Sequence, residues 1–342
     1  MRPLDEPTIK RSTAMHKAHV TPLDSEAFCK SIEIALKAPP DPKGSIERIR
    51  KSLNRLPEDP LYVSTKNHNI AFYTKVDGKQ KYLSKKSEQI HSLARRRYQS
   101  ALLEILQLTD SSRKSDLERR AACISRLQEF IRNCSTAGLD IAPIVLTTAQ
   151  RNWFTGRFKQ KYINPDSPFK SANGLPLRSK SERDVINSYD VFAVPIHYEE
   201  QMIIDVRSLV DNLERTLLKD GLLKGLLYSF DRNGIYWNVP RELQWMNAKG
   251  SIWKTYDPPH GTLSIFNDVR GMFADGSLFV HEHEGMMGDF SYRCNSSERS
   301  SIIKFTGAVS RHNFIETYEQ EIDTPEKADG IVERLILPRL WF

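Results

Sequence analysis

FVHEHEGMM, residues 279–287, is the stretch on which the reading of this chain turns. Residues two apart on a strand share a face, so Glu282 and Glu284 project together while His281 and His283 project to the other side. Two carboxylates side by side are hard oxygen donors suited to a divalent cation. Two imidazoles, joined by His260, suit zinc or another transition ion. A polar strand facing solvent would need neither, and these residues alone leave all three readings open.

Working outward, an alternation of helical and strand periods surrounds this segment. Downstream, the pattern predicts a helix over 297–306, a strand at 314–318 and a closing helix over 325–337. Upstream it predicts a helix from Ser181 into Asp190, a strand at 194–198, helical material over 206–227, and strands at 263–266 and 278–284. This is the pattern of an α/β domain with a central mixed sheet. Residues 164–178 are rich in Pro, Ser, Gly and Asn, and 141–146 reads as a short apolar strand or connector. A domain boundary is therefore expected near residue 150.

The N-terminal part reads differently. Residues 1–45 mix prolines with one short helix at 25–37 and are expected as a loosely packed extension. From Ser45 a basic amphipathic helix runs toward Pro57. β-rich runs at 61–64 with 70–76, and at 81–83, follow, and Asp77-Gly78 is a hairpin signal because both residues tolerate positive φ. A long helix begins near Ser87, with Ile90, Leu93, Ala94, Ala101, Leu102, Ile105 and Leu106 along one face. Another helix is expected over 116–133.

The chain has 342 residues, 39% of them hydrophobic, a formal charge of +7 and a pI near 9.1. A positive field favours polyanions, and the excess is concentrated between residues 46 and 100. There Lys75, Lys79, Lys81, Lys85, Lys86, Arg95, Arg96 and Arg97 interleave with Tyr62, Phe72, Tyr73, Tyr82 and Tyr98. That mixture suits a surface that tracks phosphates and stacks bases. The four cysteines show neither metal-ligand nor disulfide spacing. Neither a secretory leader nor a long apolar span is recognisable, so a cytoplasmic, membrane-free protein is expected.

Four motifs occur in an order that resembles the PD-(D/E)XK nuclease family, especially a group from bacteria and mobile elements with a basic N-terminal hairpin-helix region. The resemblance begins at Pro57, in LPEDPLYVSTKNHNIAFYTKVDGKQKYLSKK, and extends over most of the chain to its end. RSKSE (178–182) resembles that group's helix start, with Ser179 or Ser181 as cap and Glu182 facing inward. PIHYE (195–199) is similar to its PYRYE strand. At Pro259-His260-Gly261-Thr262-Leu263, histidine stands where the family carries aspartate, and Asp257 or Asp268 is the substitute. FVHEHEGMM is similar to its YWEHxGMM, with Glu284 in the slot of the family lysine and Arg299 or Lys304 as the replacement cation.

The resemblance implies a mixed α+β chain with three parts. These are an extension over 1–45, a basic nucleic-acid-binding hairpin with helices over 46–150, and a restriction-endonuclease-like domain over 151–342 interrupted by an insertion at about 205–253. It further implies an endonuclease acting on DNA with Mg2+ or Mn2+. Glu282, Glu182 and Asp257 or Asp268 would hold the ion, and His260, Glu284 and Lys304 would assist. RNA as substrate and a homodimer stay open. The alternatives are a catalytically degenerate nuclease fold that binds DNA or a partner, and a zinc-dependent hydrolase centred on His260, His281 and His283.

Overall fold

The computed structural model describes residues 23–66, 69–161, 163–205, 262–286 and 288–342, together with the strand backbones at 228–231, 234–237 and 256–257. It is a mixed α+β fold. The helical material expected over 206–227, most of the insertion, and His260 lie outside the described residues.

Helix α1 (Ser25–Lys37) starts at Asp24, whose side chain accepts from Ala27 N. Phe28, Ile32, Ala35 and Leu36 recur at helical spacing and are fully buried. Each large apolar group so buried contributes ~1.5–3 kcal/mol. The expectation of a loose extension is therefore corrected for this part. The reason is α1's apolar stripe, which packs against the C-terminus, with Phe28 edge-on to Trp341 at 4.9 Å and Trp341 Nε1 donating to Ser31 Oγ at 2.6 Å.

Helix α2 (Pro42–Leu53) leads into a three-stranded antiparallel sheet, β1 (Tyr62–Lys66), β2 (Asn69–Val76) and β3 (Lys79–Tyr82). The β2–β3 turn is Asp77-Gly78, both at positive φ, as the dipeptide predicted. Helices α3 (Glu88–Gln107) and α4 (Lys114–Thr136) pack against each other. The apolar run at 141–146 is a short helix, α5 (Ala142–Val145), not a strand; Pro143 in its first turn is tolerated there. Helix α6 (Thr148–Phe154) carries a capping box made by Thr147 and Gln150.

The second sheet has the order β10-β9-β8-β4, made of β4 (Ile196–Asp205), β8 (Thr262–Met272), β9 (Leu278–Glu284) and β10 (Phe314–Tyr318). Strands β4, β8 and β9 are antiparallel neighbours, and β10 runs parallel to β9. Strands β5 (Tyr228–Asp231) and β6 (Gly234–Trp237) pair with each other as a two-stranded sheet, and β7 (Tyr256–Asp257) pairs with the start of β8. Helix α7 (Lys180–Val191) contacts β9 on one face of the sheet. Helix α8 (Phe290–Phe305) follows β9, and its Ile302 and Ile303 join the core on the other face. Helix α9 (Pro325–Ile331), a π turn at Val332–Ile336 and α10 (Leu337–Leu340) close the chain.

One buried cluster runs from Phe28 to Phe342 and crosses the boundary expected near residue 150. At that point Gln150 Nε2 donates to Met272 O at 3.1 Å and Leu340 O at 2.8 Å. A smaller cluster, Ile204, Leu263, Ile265, Val280, Ile302, Ile303 and Phe314, covers the α8 face.

Candidate functional site

The side-chain phase of two neighbouring strands inverts at the same level. In β4, Ile196 and Tyr198 join the larger core, whereas Met202 and Ile204 join the smaller one. In β8, Leu263 and Ile265 join the smaller core and Val269 the larger. Strict alternation would keep each of these sets on one face. The inversion falls at Glu199, held at φ 53°, opposite Asp268; pairing resumes in unchanged register at Glu200↔Asn267. Because both strands flip together, both acids turn toward α7. The outer edge of β4 is occupied at this level, since Lys161 N donates to Glu199 O at 3.0 Å and Gln201 N to Lys159 O at 2.8 Å.

Glu182 arrives from the first turn of α7. Ser179 caps that helix, its Oγ accepting from Glu182 N. Carboxylate oxygens of Glu182, Glu199 and Asp268 all lie within 4.8 Å of one another, and all three residues are buried. Tyr198 Oη donates to Glu182 Oε2 at 2.5 Å, and His283 N donates to Asp268 Oδ2 at 2.8 Å. One guanidinium nitrogen of Arg178 reaches Glu182 at 3.0 Å, Glu199 at 2.5 Å and Asp268 at 2.9 Å. Burial pulls Arg178 down, but Glu199, Asp268 and Glu182 together hold its proton more firmly than usual.

A second acidic pair adjoins the triad on the α8 face. Glu282 accepts from Asn267 Nδ2 at 3.0 Å, and Arg299 Nε lies 3.3 Å from its other oxygen. Among the described residues Glu284 ion-pairs with Arg299 alone, at 4.0 Å. Burial raises Glu282 most; Arg299 opposes it and Asp268 adds to it. Glu199 is raised to about 7, by burial first, against the pull of Arg178. Among the described residues, five buried carboxylates thus share two guanidiniums. Both oxygens of Glu199 and Glu284, Glu282 Oε2, Asn267 Oδ1 and His283 Nε2 are buried without a hydrogen bond. Arg178 and Arg299 approach Glu199 and Glu282 as ion contacts whose angles leave those oxygens unbonded. Unmet buried acceptors cost ~1–3 kcal/mol each, and such atoms are rare away from ligand sites.

The sequence-predicted residues fall into distinct places. Glu182 and Asp268 meet in the triad; Glu282 lies outside it, on the α8 face with Asn267 and Arg299, and feels Asp268 only through its charge. Asp257 pairs with Thr262 at the far end of β8, so its backbone lies about 20 Å of strand from Asp268 at ~3.3 Å per residue. Lys304 ion-pairs with Glu316 on β10 at 2.8 Å and lies over Phe314, while Arg299 is the cation at Glu282. His281 faces α7; its Nδ1 meets Tyr189 Oη and its Nε2 meets Thr317 Oγ1, both at 2.8 Å. Burial lowers His281 to about 3. Glu199, Arg178 and Asn267 were not singled out from sequence. The available signal was the Glu199-Glu200 pair inside a strand, since consecutive acids cannot both face solvent unless the alternation breaks.

The basic hairpin presents Lys75, Lys79, Lys81, Lys85 and Lys86 to solvent. Tyr62, Tyr73 and Tyr82 are cross-strand partners, with ring centroids 5.1 Å and 5.8 Å apart, and Tyr82 is 64% exposed. Each of the arginines expected beside these lysines is tied to the fold through one guanidinium nitrogen. Arg95 donates to Leu146 O at 2.8 Å, Arg96 to Leu53 O and Leu56 O at 3.0 Å, and Arg97 to Leu61 O at 2.9 Å. Each guanidinium satisfies carbonyls at a helix end or loop that would otherwise lack donors.

Among the described residues, no helix is long and apolar enough to cross a membrane. Comparison of the chain with protein-family models, with curated proteins and with solved structures finds no match in any of the three.

Proposed function

We propose that this chain is a divalent-cation-dependent hydrolase of nucleic-acid phosphodiester bonds, with DNA as substrate, in the manner of the PD-(D/E)XK nucleases its motifs resemble. The observation that carries this reading is the excess of buried carboxylate over guanidinium at the β4–β8 phase inversion, with acceptor oxygens left unbonded. Glu182, Glu199 and Asp268 are the oxygen donors that would hold Mg2+ or Mn2+, and Glu282 borders them through Asp268. A cation bound there supplies charge for the scissile phosphate and acidifies a water. Arg178, 36% exposed, is placed to turn from the carboxylates toward an incoming phosphate. Arg299 keeps Glu282 and Glu284 paired on the α8 side. The exposed lysines and tyrosine row of the hairpin supply backbone contact and stacking.

The test is cleavage of plasmid and linear DNA with Mg2+ or Mn2+ by wild type, Glu199→Gln and Glu282→Ala. Wild-type cleavage that is lost in both variants is expected; full activity in both variants removes the site assignment.

One observation favours a second reading, a nuclease-like fold that binds DNA without cutting it. Arg178 already brings a positive charge to all three triad carboxylates. Salt-sensitive DNA binding with no cleavage under any divalent ion would select that reading. The zinc alternative requires His281 to give up both of its hydroxyl partners, and stoichiometric zinc in the purified protein would support it.

A further inference from the structure

A second charged site lies among the helices, and neither the clustered carboxylates nor the hairpin lysines line it. A cleft of about 630 Å3 opens between α2, α3 and the α5–α6 segment. Its walls carry Arg48, Lys51 and Arg55 from α2 and the residues just after it, Arg95 from α3 and Arg151 from α6, against a single carboxylate, Glu88. Arg48 and Lys51 have partners at the rim, Asp41 at 3.7 Å and Glu47 at 2.7 Å, all well exposed. Such rim pairs are weak and easily exchanged.

The other three cations have no such partner. Among the described residues, Arg55, Arg95 and Arg151 enter no ion pair. Arg95 is fixed in place by Leu146 O and Pro143 O. Arg151 makes one side-chain hydrogen bond, to Thr148 Oγ1 at 3.4 Å, and its Nε is buried without an acceptor. Burial, and then the neighbouring Arg151 charge, both work against the charge on Arg95. Two guanidiniums held in mutual repulsion, one with a buried donor unmet, are preorganised for an anion that bonds to both.

We propose that this cleft binds the phosphate of a nucleotide-sized ligand, with Arg55, Arg95 and Arg151 as the phosphate contacts. Size argues for more than the bare ion, because the cleft falls in the ~300–1,000 Å3 range of organic-ligand sites. Its lining also offers flat and apolar groups, Leu56, Pro143 and the half-buried ring of His91, to an attached base or sugar. The same chemistry has two sources, a free mononucleotide or the phosphorylated end of a strand. The site stands independently of the carboxylate centre and should work with divalent ions removed.

The experiment is titration of the full chain in EDTA with three probes: adenosine 5′-monophosphate, a short single-stranded oligonucleotide with a 5′-phosphate, and the same oligonucleotide with a 5′-hydroxyl. Two outcomes support the site. One is saturable mononucleotide binding; the other is a preference for the phosphorylated oligonucleotide over its hydroxyl twin. Either must weaken at least about tenfold in Arg55→Gln and in Arg151→Gln. Arg55 is exposed, so its variant keeps the test valid if Arg151→Gln misfolds. A Lys79→Gln, Lys81→Gln double variant should lower both oligonucleotides alike and leave their ratio unchanged. The proposal is overturned if neither the mononucleotide nor the 5′-phosphate gives binding sensitive to Arg55.

Discussion

Replacing Glu199 by glutamine isolates the electrostatic cost of the carboxylate cluster. Burial raises Glu199 from its ordinary 4.5 to about 7; Arg178 and Lys161 oppose the rise, and Asp268 and Glu182 add to it. Between those two values the native chain keeps a proton that the unfolded chain has released. Stability therefore falls as pH climbs through this window, and the loss is complete above it. At ~1.4 kcal/mol per pH unit, the span from 4.5 to about 7 amounts to about 3 kcal/mol. Glutamine has the same shape and never ionises. Urea unfolding of both proteins in chelator, at about pH 5 and about pH 8.5, should show the variant gaining about 3 kcal/mol on wild type toward the alkaline side. Glu282 and other shared groups titrate in both proteins and cancel. Adding Mn2+ at the higher pH should stabilise wild type and leave the variant nearly unmoved, because a cation that binds the ionised native cluster is linked to folding. A stability difference that stays constant across pH refutes the reasoning, as does equal stabilisation of both proteins by Mn2+.

Four further outcomes are expected. Arg299→Met leaves Glu282 and Glu284 without their shared cation, and should cost about 3 kcal/mol in urea unfolding above neutral pH; the cost should shrink near pH ~5, where Glu282, raised by burial, takes up its proton. Gly271→Ala would bring a methyl to 2.1 Å from the Phe279 ring and should destabilise by about 2 kcal/mol, read as a shift in the unfolding midpoint. Arg96→Met should lower stability by about 1–3 kcal/mol through the lost bonds to Leu53 and Leu56, with little change in DNA affinity at matched folding. Lys79→Gln with Lys81→Gln should do the reverse, weakening DNA binding in a filter or anisotropy assay and flattening its salt slope while the melting curve stays put.

Much of the fold was legible because its signals are local. The Asp77-Gly78 turn, the Ser179 cap, the 278–284 strand and the apolar stripe of α3 each sit within one element, and the structure has them. What escaped was set by distant partners. Nothing near α1 announces that its stripe will meet Trp341, so an amphipathic helix among prolines read as an extension. Arg96 and Arg97 read as phosphate contacts because a sequence shows charge and does not show the carbonyls that will claim it. In the candidate site, Glu182, Glu282 and Asp268 came from the order of motifs. Glu199 did not, since its position follows from a coordinated flip in two strands joined only by the fold.

The bond between Trp341 and Ser31 joins residues 310 positions apart. During synthesis the apolar stripe of α1 leaves the ribosome long before the residues that will cover it. At ~5–20 residues per second the interval is roughly 15–60 s. Throughout that time Phe28, Ile32 and Leu36 lack part of their shelter, so the newborn chain depends on α4, which also packs on α1, or on a chaperone to shield them. Premature termination shortly before Trp341 would then leave a sticky, degradable product in place of a slightly shorter working protein.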